Sequence, residues 1–229
     1  MSYCTLDIET LPSNDAKIIE QIRDSISPPG TITKDETKLK WLEQNLEAET
    51  EKALRKTGLD ALYGQILSIA WAIDDGEVNC LYRSSYDDSE ADLLKEFFLQ
   101  LSSTKDEYGH RVGISKWVGH NSCAFDFRFI WQRCVINGIQ PSVKWPNDAK
   151  PWDSNVFDTR IAWTGAGQYQ GRSSLDALSS VMFGEGKGEV TGATVFDFFM
   201  RGEIDKIVSY NKQDVEMTRK LYKRMNFIT

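Results

Sequence analysis

Two carboxylates stand one residue apart near the start of the chain, Asp7 and Glu9 in Tyr3–Glu9 (YCTLDIE). The run is β-compatible, and in a strand residues i and i+2 share a face about 7 Å apart, with Leu6 and Ile8 turned the other way. Adjacent carboxylates repel unless they are protonated or hold a cation. Alone, a D-x-E pair is a weak pattern that more often marks a strand with one solvent-facing side. A second acid sits in the C-terminal helical stretch, whose apolar arc comprises Ile204, Ile207, Val208, Val215, Thr218, Leu221, Tyr222 and Met225. At about 100° per residue Asp214 falls inside that arc, about 40° around from Tyr210. Being four residues apart, Tyr210 and Asp214 can reach one point in space. A carboxylate aimed at a core is costly unless paired, hydrogen-bonded or bound to metal. A bond to a neighbouring strand or an arginine would serve as well, and Asn211 lies in the same arc. The third feature is His120-Asn121-Ser122-Cys123-Ala124-Phe125-Asp126, after a short apolar strand and at the start of a helix. Asp126 in a first turn is favoured by the helix dipole, and Asn121 or Ser122 could cap that helix.

The remaining inventory narrows the chemistry. With only two histidines, His110 and His120, a histidine triad or a three-histidine zinc site has almost no material. The four cysteines form no C-x-x-C pair, and His120 with Cys123 has no companion pair for zinc. Gly184–Gly192 lacks the spacing of a phosphate-binding P-loop. Whatever reaction occurs here is expected to run on carboxylates.

The elements that must position these groups can be read from pattern. Strands are expected at Tyr3–Glu9, Gln65–Ile73, Glu77–Arg83 and Ser115–Gly119, with Asp74-Asp75-Gly76 as a hairpin turn. Val156–Trp163 is a strand-like run. Helices are expected from Ser89, whose spacing to Asp92 resembles a capping box, from about Ala124 to Asn137, over Ser173–Phe183, at Val195–Met200, and from Glu203 to about Met225. Three strands followed by alternating helices and strands predict an α/β class, a mixed β-sheet flanked by helices. Residues 12–62 form a helical insertion after the first strand, broken at Pro28-Pro29-Gly30. Its stretch Lys34–Lys56 is highly charged, with Leu39, Leu42 and Leu46 at helical spacing. Residues 1–229 are otherwise expected to make a single domain.

Composition agrees with a globular chain: 229 residues, 41% hydrophobic and 27% charged, with a net charge of −7. The acidic balance argues against a general polyanion coat, though not against holding a nucleic acid in a metal-filled cleft. No apolar run approaches the ~18 residues of a membrane span. The first eleven residues carry acids where a signal peptide needs a basic start, so a cytoplasmic location is expected.

Taken together, Asp7-Ile8-Glu9-Thr10, Asn121-x-x-x-Phe125-Asp126 and Tyr210-x-x-x-Asp214, in this order on strand, helix start and final helix, resemble the three motifs of the DEDD superfamily of 3′–5′ exonucleases. The Y-x-x-x-D form marks its tyrosine branch (DEDDy), which includes the proofreading domains of family A and B DNA polymerases. The sister branch has a histidine five residues before the last Asp, where this chain has Ser209. Val156-Phe157-Asp158-Thr159, Ser174-Leu175-Asp176-Ala177-Leu178 and Gly186-Lys187-Gly188 look similar to the linking region of stand-alone relatives of the family B exonuclease. The resemblance does not cover the insertion, residues 12–62.

The resemblance implies a ribonuclease H-like fold and a metal-dependent exonuclease releasing nucleoside 5′-monophosphates from single-stranded 3′ ends. DNA is preferred to RNA because the likeness is to polymerase proofreading domains. It implies two divalent cations, Mg²⁺ or Mn²⁺, held by Asp7, Glu9, Asp126 and Asp214, with Tyr210 placing the attacking water. Candidate substrate contacts are Thr10, Leu11, Asn121, Phe125 and Lys187. Arg219, Lys220, Lys223 and Arg224 could guide a strand, although cations at a helix C-terminus are also expected from its dipole. An exoribonuclease and a non-catalytic nucleic-acid-binding module of the same fold are the alternatives. Any proofreading would call on a separate polymerase or repair protein.

Overall fold

In the computed structural model, which describes residues 2–105, 108–150, 152–165, 172–186 and 188–228, the D-x-E segment lies in β1 (Ser2–Leu11). The other strands are β2 (Gln65–Ile73), β3 (Asn79–Tyr82), β4 (Ile114–Gly119) and β5 (Val156–Asp158). They form one mixed sheet of order β3-β2-β1-β4-β5, with β2 and β3 antiparallel and β1, β4 and β5 parallel. Helices α1 (Ala16–Ser25), α2 (Asp35–Lys56), α3 (Glu90–Ser103), α4 (Asp126–Ile136), α5 (Thr159–Thr164), α6 (Leu175–Phe183), α7 (Val195–Met200) and α8 (Ile204–Met225) complete the α/β architecture. Among the described residues no helix is long and apolar enough to cross a membrane. By its contacts the chain divides into two units, Met1–Glu9 with Ile66–Thr229, and Thr10–Gln65.

The first unit is layered around the sheet. Cys4, Leu6 and Ile8 of β1 are buried on one face, and Cys4 is the register partner of Trp117. That side carries an aromatic cluster in which Trp71, Phe97, Phe98, Trp117, Phe127 and Trp145 meet mostly edge to face, at centroid distances of 4.8–6.5 Å. The Trp145 indole N–H is satisfied by the Phe127 carbonyl. Glu90, in the first turn of α3, is buried against Arg133 of α4 and also accepts from the Ile66 N–H and the Asn137 amide. On the other face lies α8. Its Val215 packs on Ala70, Ala72 and Val78, and its Met217 and Leu221 on Leu175 and Leu178 of α6. Tyr222 meets the rings of Tyr3 and Phe157.

In the second unit, Asp15 caps α1 by accepting from the Lys17 N–H, and Arg23 of α1 pairs with Glu47 of α2 at 2.7 Å. Leu42 and Leu46 of α2 are half-buried, but Leu39 is exposed.

The strand-like run from Val156 ends early, at Asp158. That side chain accepts the N–H groups of Arg160 and Ile161 and starts α5 instead of continuing the strand. The turn before α4 also departs from expectation. Neither Asn121 nor Ser122 caps this helix, whose N-cap is Phe125 with no side-chain bond. Asn121 takes up a left-handed conformation (φ 67°), its carbonyl accepts from Ala124 and Phe125, and its side chain is engaged by Arg160.

Candidate active site

Helix α8 brings its polar residues over β1 because its apolar neighbours are pinned along their length. Ala70 and Ala72 present only methyl groups beneath Val215, which allows close approach of helix to sheet. Farther along, Arg219 donates to the carbonyls of Asp74 and Gly76 in the β2–β3 turn. With its register so fixed, Asp214 meets the acids of β1. One carboxylate oxygen each from Asp7, Glu9 and Asp214 can be chosen so that all three lie within 4.8 Å of one another. Glu9 and Asp214 are buried and Asp7 is half-buried.

Tyr210 is buried against this triple. Burial, then the charges of Glu9, Asp214 and Asp7, together with a hydrogen bond to Asp214, push its phenol far above the ordinary tyrosine range. With no cation bound the phenol keeps its proton, and its O–H donates to Asp214. The four-residue spacing is realised as a contact between its hydroxyl and Asp214.

Asp126 stands outside this triple. Its Oδ1 accepts the backbone N–H of Ile8 at 3.1 Å, between the two acids of β1. Burial pushes its carboxyl up to about 7, with the charge of Asp158 adding to the rise and bonds from its own and the Ile8 N–H opposing it. The turn that carries it depends on Gly119, the last residue of β4: a Cβ there would overlap the Ser122 side chain. Buried Asp158 accepts the N–H groups of Asn121 and Cys123, tying the same turn to the end of β5. Thr159 donates its hydroxyl to the Gly119 carbonyl, so the contact of 2.9 Å between its Oγ1 and His120 Nδ1 requires the proton on Nδ1.

The expected substrate residues belong to both units. Phe125 is half-buried with its ring 5.2 Å from that of Phe129. In the second unit, Thr10 donates to the Gly58 carbonyl at 2.7 Å and Leu11 is fully buried. Lys187 lies outside the described residues. The basic end of α8 does not form an open cationic stripe: Arg219 pairs with Glu216, Lys220 with Glu185 and Lys223 with Asp75, while Arg224 lies over the Phe183 ring. These pairs offset part of the positive charge at the end of the helix.

By local pattern Asn211 is marked only as a polar residue in an apolar arc. It is fully buried, donates from Nδ2 to Asp7 Oδ2 at 2.7 Å, and accepts the Ser68 hydroxyl on Oδ1 at 2.8 Å. The Cys80 thiol is a further donor to the same oxygen, at 3.9 Å. The signal was present in its position, one residue after Tyr210 on the buried face.

A mixed five-stranded sheet with flanking helices is the architecture of the ribonuclease H-like fold of the polymerase exonuclease domain. Consistent with this, the structure resembles that of the family B DNA polymerase from the hyperthermophilic archaeon Pyrobaculum calidifontis, with a TM-score of 0.56 at 15% identity. The match covers 99% of this chain and 24% of the polymerase, so the chain spans about a quarter of that protein. Residues 59–229 match the family described as "Predicted 3'-5' exonuclease related to the exonuclease domain of PolB", and the chain belongs to that family. No curated protein sequence matches it.

Exonuclease domains of this kind usually use divalent metals, and the residues present fit such ions. Three carboxylates are close enough to share a cation, and an all-oxygen donor set suits a hard ion such as Mg²⁺ or Mn²⁺.

Proposed function

We propose that the protein is a metal-dependent 3′–5′ exonuclease of the DEDDy branch, hydrolysing single-stranded DNA ends to nucleoside 5′-monophosphates. The observation that carries this reading is the convergence of Asp7, Glu9 and Asp214, from opposite ends of the chain, with the Tyr210 hydroxyl bonded to Asp214. In this reading Asp7, Glu9 and Asp214 hold a divalent cation, and Asp126 completes the set for a second. Bound there, such ions would activate water and stabilise charge on the leaving oxygen. Tyr210 is unsuited to be a general base near neutrality, where even an ordinary phenol of pKa ~10 keeps its proton. With its proton donated to Asp214, its oxygen is left to accept a hydrogen bond that orients the attacking water. Asp126 anchors the β1 backbone between the two acids through Ile8, keeping Asp7 and Glu9 on one face. Phe125 and Asn121, on the turn that leads to Asp126, are the proposed contacts for the terminal base and sugar, with Thr10, Leu11 and Lys187 as further candidates.

The test offers 5′-labelled single-stranded DNA and RNA, each with free and blocked 3′ ends, in Mg²⁺ or EDTA. Stepwise shortening of free-ended DNA only with Mg²⁺ is expected. Equal loss of blocked ends would indicate an endonuclease, faster loss of RNA an exoribonuclease. Binding without cleavage would leave a nucleic-acid-binding module.

A further inference from the structure

We infer that Asn211 and Ser68 are positioning residues that fix the Asp7 carboxylate for cation binding. The inference rests on the reading of Asp7 as a cation ligand. A carboxylate only accepts hydrogen bonds, so the side-chain nitrogen of Asn211 must face Asp7 and its oxygen must face Ser68. The Ser68 hydroxyl then has one role, donation to Asn211 Oδ1, and the Cys80 thiol approaches the second lone pair. Ser68 and Cys80 come from adjacent strands and lie on one sheet face, since Ser68 pairs with Tyr82 and Ala70 with Cys80. The amide is thus held from β2 and β3 while it holds a residue of β1. Asp7 is the more exposed member of the triple, the one whose side chain has most freedom to lose.

The choice of an amide is physically specific. A lysine or arginine at 211 would restrain Asp7 equally well but cancel the charge that attracts a cation. A neutral donor fixes one oxygen and leaves the full negative charge in place. Residues that orient metal ligands in this way typically alter affinity by about 10- to 100-fold when removed.

The experiment is a Mn²⁺ titration of the full chain, without substrate, read by the electron paramagnetic resonance signal of free Mn²⁺. Thermal melts establish that each variant is folded. Asn211→Leu, which keeps most of the volume and loses the donor, is expected to weaken Mn²⁺ binding about 10- to 100-fold. Ser68→Ala should weaken it less. Added to Asn211→Leu it should have no further effect, because its influence passes through the amide. A folded Asn211→Leu protein that binds Mn²⁺ like wild type would overturn the inference, as would additive effects of the two substitutions. Should Asn211→Leu not fold, Ser68→Ala, which removes a single oxygen, decides: unchanged affinity overturns the inference. Wild-type protein that binds no Mn²⁺ would remove the cation reading of the site, and this inference with it.

Discussion

Asp126 Oδ1 and the backbone N–H of Ile8 are hydrogen-bonded at 3.1 Å across 118 residues of sequence. The bond joins the first turn of α4 to the short stretch of β1 between Asp7 and Glu9. A side chain expected to serve a cation therefore also serves the backbone, and its titration becomes part of the stability of the fold.

In the metal-free protein, kept so with a chelator, the Asp126 pKa of about 7 lies above the ~3.9 of an unfolded chain. Between these values the folded state holds a proton that the unfolded state releases. The contribution is thus fully present below about pH 4 and lost as pH rises through about 7. Asp126→Asn is neutral throughout and keeps an oxygen for Ile8. Urea midpoints at pH 5 and pH 8 should therefore differ less in this variant than in wild type. Equal differences would show that Asp126 titrates as an ordinary surface acid.

Asp7→Ala and Asp214→Asn are each expected to abolish cleavage while leaving the circular dichroism spectrum unchanged. Tyr210→Phe should slow turnover yet leave Mn²⁺ affinity close to wild type, because it removes a donor and no charge. Unaltered turnover would take away its proposed role.

Gly119→Ala places a methyl group where Ser122 now lies. Overpacking of this kind costs about 1–3 kcal/mol, and here it should also displace the turn leading to Asp126. The Gly119→Ala/Ser122→Gly pair should recover most of the lost stability and activity. Melting temperatures and initial rates of both proteins test this, and a pair no better than the single variant would contradict it.

The buried Glu90–Arg133 pair offers a control away from the acids. Arg133→Met leaves Glu90 buried without its partner charge and should lower stability by about 3–5 kcal/mol in denaturant titrations. Mn²⁺ affinity of the folded fraction should not change. A weakened affinity would mean that this network reaches the acidic site.

Much of the fold could be read where the pattern was long or punctuated by strong caps. Helix α8 shows a sustained apolar arc, and α6 lies between Ser174, which caps it, and Gly184 in a left-handed conformation. The acids of β1 followed from simple alternation. Helix α1 escaped notice because it buries no residue fully and is marked chiefly by the Asp15 cap. Helix α5 escaped because Thr159–Thr164 has the composition of a strand, and only the Asp158 side chain turns it. The pairing of Lys220 with Glu185 and Lys223 with Asp75 depends on tertiary proximity that no local pattern encodes. For the same reason Asn211 looked like an anomaly: its partners are 143 and 204 residues away.

The sheet order β3-β2-β1-β4-β5 puts β1 in the middle, whereas the family match begins only at residue 59. A recombinant fragment trimmed to the matched boundary would forfeit the central rung of its own ladder, along with two of its acids. Shortened versions of this protein must keep the first eleven residues, and inactivity of a version lacking them would say nothing about the proposed activity.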